Sequence, residues 1–220
     1  MASGQCQRAV PEGLQGPVGV GGAMAGEDGL PGAVRRADLP VTGVVLAGGA
    51  SRRMGGLDKG LVAWRGRPLV WHALRLLEGL PEILISANRS LDVYREFGHP
   101  VVTDLEPGFH GPLMGLQAAF AHARQPWILT VPVDSPRLPA DLPERLWDAR
   151  QGASVVVARS ARGAEPVISL CSGAAAAELD RYLASGGRAA LGWFACLPHR
   201  WLDLADDEVA NCNAPDDLED

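Results

Sequence analysis

The chain has 220 residues, enough for one α/β domain with a substantial core or two small domains, and its 47% hydrophobic content excludes disorder of the whole. A net charge of −6, from 20 basic and 26 acidic residues, argues against a nucleic-acid partner, whose phosphates call for a basic surface. It leaves room for one anionic small molecule in a local pocket.

Cys6, Cys171, Cys196 and Cys212 are widely spaced and form no C-x-x-C pair, so a disulfide framework or a zinc site is not expected. No apolar run is long enough to span a membrane. Arg35-Arg36 is not followed by the apolar segment of an export signal. These features place the protein in the cytoplasm, with no membrane partner.

Residues 1–40 are rich in Gly and Pro and hold few large apolar side chains. Such a segment cannot bury enough surface to offset its ordering entropy, so it reads as a disordered extension, with Met24 a candidate start. Residues 41–220 read as one domain. Residues 41–46 (VTGVVL) have the β-branched, apolar character of a buried parallel strand, followed by a glycine-rich loop to Gly60. Pro68 opens a helix over 68–78, as suits a proline in a first helical turn.

Strands are then expected at 82–87 and 100–104, with a short helix at 91–97 between them. A helix at 112–124 precedes a strand at 127–134, and a helix at 140–150 precedes a strand at 154–159. Residues 166–171 and 200–204 read as further strands, 173–185 and 188–197 as helices. This alternation means βαβ units, a mostly parallel, doubly wound sheet of Rossmann-like type, and ligands at the carboxyl ends of the strands.

The strongest local signal is the loop itself, LAGGASRRMGGLDKG from Leu46 to Gly60. Gly48 and Gly49 permit close backbone approach, and successive N–H groups in such a loop can cradle phosphate oxygens. Arg53 can fork onto a phosphate, and Lys59 offers a point charge. Neither the P-loop pattern nor G-x-G-x-x-G is present.

The segment resembles the signature of nucleotidyltransferases that activate small molecules with NTPs, in particular the molybdenum cofactor guanylyltransferases. Their pattern, close to L-A-G-G-x-[SA]-x-R-M-G-x-D-K, is met by Leu46, Ala47, Gly48, Gly49, Ser51, Arg53, Met54, Gly55, Asp58 and Lys59, with one extra residue before Asp58. The resemblance covers about residues 41–218. It implies a three-layer αβα fold of the nucleotide-diphospho-sugar transferase type. It further implies transfer of GMP from GTP to the terminal phosphate of molybdenum-molybdopterin, with Mg²⁺ as cofactor. Other cofactor-biosynthesis proteins, apo-molybdoenzymes or their chaperones are the implied protein partners.

Leu46, Ala47, Gly48, Gly49, Lys59, Asn88, Asp104 and Asp134 are the implied GTP-binding residues. Arg53, Lys59 and Asp134 are the implied catalytic ones. Asp134, in VPVDSP, corresponds to the family's magnesium-binding aspartate, although an aspartate before Pro136 also suits a turn. Magnesium prefers oxygen ligands, and both Asp104 and Asp134 fall at expected strand ends.

Asn88 follows the second strand and carries a donor and an acceptor, as a base or ribose edge requires. Gly111-Pro-Leu-Met-Gly115 resembles the family's G-P-L-x-G, and Asn211-Cys-Asn213 its closing N-x-N. Glu165 stands where Gln or His is common, and Asp58 reads as a loop residue without a catalytic role. A CTP-using relative, a sugar or polyol phosphate acceptor, and a non-catalytic GTP-binding module remain as alternatives.

Overall fold

The computed structural model describes residues 35–48, 58–106 and 111–212. Strand β1, Val41–Leu46, runs through its middle. Its apolar and β-branched residues are buried on both faces, which a strand covered by helices on each side requires. In chain order follow β2 (Ala63–Trp64), β3 (Arg67–Pro68), helix α1 (Leu69–Leu77), β4 (Glu82–Ser86), α2 (Leu91–Arg95) and β5 (Val101–Val102). Then come α3 (Pro112–His122), β6 (Trp127–Pro132), α4 (Leu142–Ala149), β7 (Val155–Ser160), β8 (Gly163–Ser172), α5 (Ala176–Ala184), α6 (Ala190–Phe194) and β9 (His199–Asp203).

Among the described residues seven strands form one sheet in the order β5-β4-β1-β6-β8-β7-β9. β1 is parallel to β4 and β6, and β4 to β5. β8 is antiparallel to both its neighbours, and β9 is parallel to β7. All strands of the sheet but β8 therefore point the same way. On one face Val70, Leu74 and Leu77 of α1, Tyr94 of α2 and Leu142 and Leu146 of α4 pack against Val41, Val45, Ile85, Leu129 and Val156. On the other, Leu113 and Leu116 of α3, Leu179 of α5 and Trp193 of α6 cover Val44, Leu84, Ile128 and Val155. The spacing of the buried residues in α1 is the three-and-four step of an amphipathic helix. The three layers are those expected.

Some expectations need correction. The strand expected at 166–171 starts at Gly163 and joins β7 as a hairpin, which is why it runs backwards. The helix expected over 173–185 begins as a 3₁₀ turn at Gly173–Ala175 before α5. β5 is only two residues long, because the chain leaves the sheet before Asp104. β2 and β3 pair as a small hairpin turning at Arg65 and Gly66, both with positive φ (47° and 75°), in a stretch without a strand pattern.

Residues 35–40 belong to the fold rather than to an extension. A 3₁₀ turn at Arg36–Asp38 leads into Leu39, which is 1% exposed. The Arg36 guanidinium pairs with Glu144 at 2.8 Å and donates to the carbonyl oxygens of Leu76, Glu78 and Ala140. Among the described residues no helix is long and apolar enough to cross a membrane, and Cys171 and Cys196 are free thiols.

Candidate active site

The chain steps from β1 outward to β4 and β5, then returns through α3 to β6 on the other side of β1. This reversal opens a crevice at the carboxyl ends of the strands, where side chains of successive loops diverge. A cavity of about 460 Å³ lies there. It is lined by Leu46, Ala47 and Gly48 at the end of β1, Ser86 and Asn88 at the end of β4, Asp104 beyond β5, and Pro132, Val133 and Asp134 at the end of β6. Lys59 and the start of α3 close its sides. Thus Leu46, Ala47, Gly48, Lys59, Asn88, Asp104 and Asp134 all meet in one place; Gly49, Arg53 and Asn213 lie outside the described residues.

Lys59 Nζ stands 2.8 Å from Asp134 Oδ2, and the two side chains are only 18% and 25% exposed. The residues are 75 positions apart in the sequence and are joined across the mouth of the crevice. Asp134 is held from behind by the C-terminal segment: the Cys212 N–H donates to the Asp134 carbonyl at 2.8 Å, and Ser135 Oγ donates to Asn211 Oδ1 at 2.6 Å. Asn211 itself lines the cavity.

Asn88 does more than offer its amide to the cavity. Its Nδ2 donates to Asp104 Oδ2 at 2.8 Å, and its Oδ1 accepts from the Asp104 N–H at 2.9 Å. Both ends of the amide are engaged, so Asn88 sets the orientation of Asp104. Gly48 lies beside this pair, where a Cβ would meet Asn88 Nδ2 at 3.4 Å, an ordinary van der Waals contact.

The two glycines of G-P-L-M-G serve different needs. Gly111 has φ +95°, a region other residues rarely adopt, and turns the chain into α3 with Pro112 at its first position. A Cβ on Gly115 would sit 2.7 Å from Ser86 Oγ, so this glycine lets α3 press against the ends of β1 and β4. The amino end of α3 then faces the cavity, where its dipole favours an anion.

Val167 was not legible as a site residue. The β7–β8 register slips between Val157 and Ala158, so residues 166–168 bulge and Val167 reaches the cavity wall. Nearby, partial burial raises the pKa of Glu165, the negative charge of Asp134 adds to the rise, and Arg162 offsets it.

Asp58 is not a plain loop residue. Its side chain is 8% exposed, and it caps the 3₁₀ turn Lys59–Leu61 through the Gly60 N–H. It also accepts a 2.6 Å hydrogen bond from the Tyr94 hydroxyl. Burial, and then Asp58, push the pKa of that hydroxyl far above the ordinary tyrosine value, so it stays protonated and donates. His72 and His122 have ring nitrogens against the carbonyls of Trp64 and Ala118, as ordinary helical histidines do.

The donor set suits a hard divalent cation of few protein ligands. Asp134 and Asp104 both line one cavity, and no cluster of three or more His, Cys, Asp or Glu side chains occurs among the described residues. Magnesium is commonly held in this way, by one or two carboxylates together with substrate phosphates.

Comparison with known proteins converges on the same chemistry. The MobA-like NTP transferase domain family matches residues 43–198. The molybdenum cofactor guanylyltransferase of Shewanella putrefaciens is 40% identical over 178 residues, which cover 80% of this chain and 91% of that protein. The crystal structure of molybdopterin-guanine dinucleotide biosynthesis protein A from Archaeoglobus fulgidus aligns with a TM-score of 0.69 at 22% identity, over 81% of this chain and 95% of that one. Rv0371c of Mycobacterium tuberculosis, solved in complex with manganese, aligns at 0.61 and 21% identity, over 80% and 95% of the two chains. At these identities the structural matches speak to the fold.

Proposed function

This chain belongs to the MobA-like NTP transferase family, and from that premise we propose that it transfers GMP from GTP to the terminal phosphate of molybdenum-molybdopterin, releasing pyrophosphate. The observation that carries the reading is the Lys59–Asp134 pair at the mouth of the crevice, beside the Leu46–Gly48 backbone. A cation and a carboxylate so placed match a metal-bound triphosphate. The carboxylate suits the ion, and the ammonium suits the phosphates.

A phosphate oxygen of molybdopterin attacks the α-phosphorus of GTP. The bond from that phosphorus to the bridging oxygen of the β-phosphate breaks, and pyrophosphate leaves with the electron pair. The attacking oxygen is already anionic, so a strong general base is not required. Asp134 would hold Mg²⁺, which when bound would supply positive charge to the phosphate oxygens. Lys59 neutralises charge that grows on the leaving group, and Arg53 adds a second cation from the same loop.

The Leu46–Gly48 backbone cradles the nucleotide. The Asn88–Asp104 pair presents a fixed polar edge to it. The amino end of α3 favours the phosphate side. GTP and molybdenum-molybdopterin are the small-molecule partners on this reading, in the cytoplasm.

The test is incubation with each NTP in turn, with Mg²⁺ and molybdenum-molybdopterin, following pyrophosphate and the mass of the product. A guanine dinucleotide from GTP is expected, with CTP a much poorer donor. Equal or better use of CTP, or GTP binding without pyrophosphate release, overturns the assignment.

A further inference from the structure

Lys59 has a long, flexible side chain, and the place its ammonium reaches depends on how firmly its backbone is held. The residues on either side of it are both fixed by Tyr94. Asp58 accepts the Tyr94 hydroxyl at 2.6 Å. Gly60 lies so close to the same hydroxyl that a Cβ there would collide with it. Tyr94 is 0% exposed and belongs to α2, which packs on the sheet, so the clamp is tied to the core.

The second carboxylate oxygen of Asp58 faces Arg89 Nε at 3.5 Å, an ion pair without hydrogen-bond alignment. Arg89 follows Asn88, whose amide holds Asp104. One cluster therefore touches both the Lys59 turn and the Asn88 corner of the cavity. A largely buried carboxylate is a costly way merely to fasten a loop, because apolar contacts would hold it as well or better. What the carboxylate adds is direction: one oxygen receives the Gly60 N–H and the Tyr94 hydroxyl together.

We propose that Asp58, Tyr94 and Arg89 form a positioning unit that sets the reach of the Lys59 ammonium towards the phosphates. This rests on the reading of Lys59 as a phosphate-binding residue. None of the three acts on substrate; they act through Lys59.

The test is a double-mutant cycle. Tyr94→Phe removes one oxygen and keeps the ring in the core. Turnover and KM for Mg-GTP are measured with this change in the natural protein and in Lys59→Ala, with unfolding temperatures for every variant. Tyr94→Phe is expected to lower kcat about tenfold in the natural protein, as a misplaced catalytic group does. In the Lys59→Ala background, with nothing left to position, it is expected to change kcat by less than about twofold.

Asp58→Asn keeps an acceptor for Tyr94 and Gly60, so it is expected to retain more activity than Asp58→Ala. An equal loss from Tyr94→Phe in both backgrounds indicates general softening of the fold and overturns the proposal. Normal turnover of Tyr94→Phe, where Lys59→Ala is impaired, overturns the positioning unit alone. Normal turnover of Lys59→Ala overturns the reading of Lys59 itself and the positioning role with it.

Discussion

The β5-β4-β1-β6 half of the sheet and the β8-β7-β9 half differ in what they contribute. In the first, every strand runs the same way, so β1, β4, β5 and β6 all end at one edge of the sheet. In the second, β8 is reversed and sends its carboxyl end to the opposite edge. All the described residues that line the crevice, except Val167 and Asn211, come from the first half and its loops. Val167 gets there because the amino-terminal part of the reversed strand β8 lies at that edge, where β8 also bulges. The second half still buries Val155, Val156, Leu170 and Cys171 completely. Parallel direction concentrates chemistry at one edge, while burial serves both halves. Substitutions at the crevice should cost turnover with the fold intact, and substitutions at the buried core residues of the second half should cost stability with the chemistry intact.

The largest effect is expected at Asp134. Asp134→Asn preserves shape and removes the negative charge that a divalent ion requires. Turnover in steady-state pyrophosphate release should fall by orders of magnitude, with the circular dichroism spectrum unchanged. A folded Asp134→Asn variant with near-normal turnover at saturating Mg²⁺ and GTP would remove the metal assignment. Lys59→Ala comes next. Loss of one preorganised group that stabilises developing charge costs about 3 kcal/mol, roughly a hundredfold in rate. The same kinetics decide it, and a loss below about fivefold would mean that the ammonium is not at the leaving group.

This division was partly legible in the sequence. Leu46, Ala47, Gly48, Lys59, Asn88, Asp104 and Asp134 could be picked out because each follows a recognisable strand or sits in a dense local motif. All of them line the crevice. Hydrophobic pattern reports burial but not strand direction, so β8 could not be seen to run backwards. Its turn, Ala161-Arg162, lacks the Asn-Gly or Asp-Gly pair that marks a two-residue hairpin. The Asp58–Tyr94 bond joins residues 36 positions apart, and nothing local to either announces the other. From the sequence alone Asp58 therefore reads as an ordinary loop residue, and the bond that ties it to the core is visible only in the structure.

A medium effect, on stability alone, is expected at Arg36, which lies away from the crevice and ties the start of the fold to α1 and α4. Arg36→Ala removes hydrogen bonds to a charged partner and to backbone carbonyls, a loss of about 2 kcal/mol, and lowers the unfolding temperature by about 6 °C. Its pH dependence is specific. Burial alone would raise the Glu144 pKa, but hydrogen bonds from Arg36 and from its own backbone, with the guanidinium charge, hold it below the usual 4.5. A depressed carboxylate pKa gives stability that is present above the unfolded value and lost as pH falls through the folded one. The gap in unfolding temperature between the natural protein and Arg36→Ala should be full at neutral pH and narrow below about pH 4.5. A gap independent of pH would mean that the carbonyl contacts, not Glu144, carry the effect.

The smallest effect is expected from deleting residues 2–33. Their Gly- and Pro-rich composition, with few large apolar side chains, provides little that a core could use. Removing them should shift the unfolding temperature by less than about 1 °C and leave turnover unchanged, since terminal segments without burial tolerate truncation. The informative comparison is a cut six residues further on. Deleting residues 2–39 also removes Arg36 and Leu39, and the Leu39 side chain is almost completely buried against the α1 side of the sheet. Burying one leucine contributes about 2 kcal/mol, and the Arg36 contacts add to it. Differential scanning calorimetry of the two truncations should therefore separate them by several degrees. If the shorter deletion is already destabilising, residues before Val34 support the fold. If the longer one is as stable as the natural protein, the Arg36–Leu39 turn is packed without consequence and the domain starts at β1.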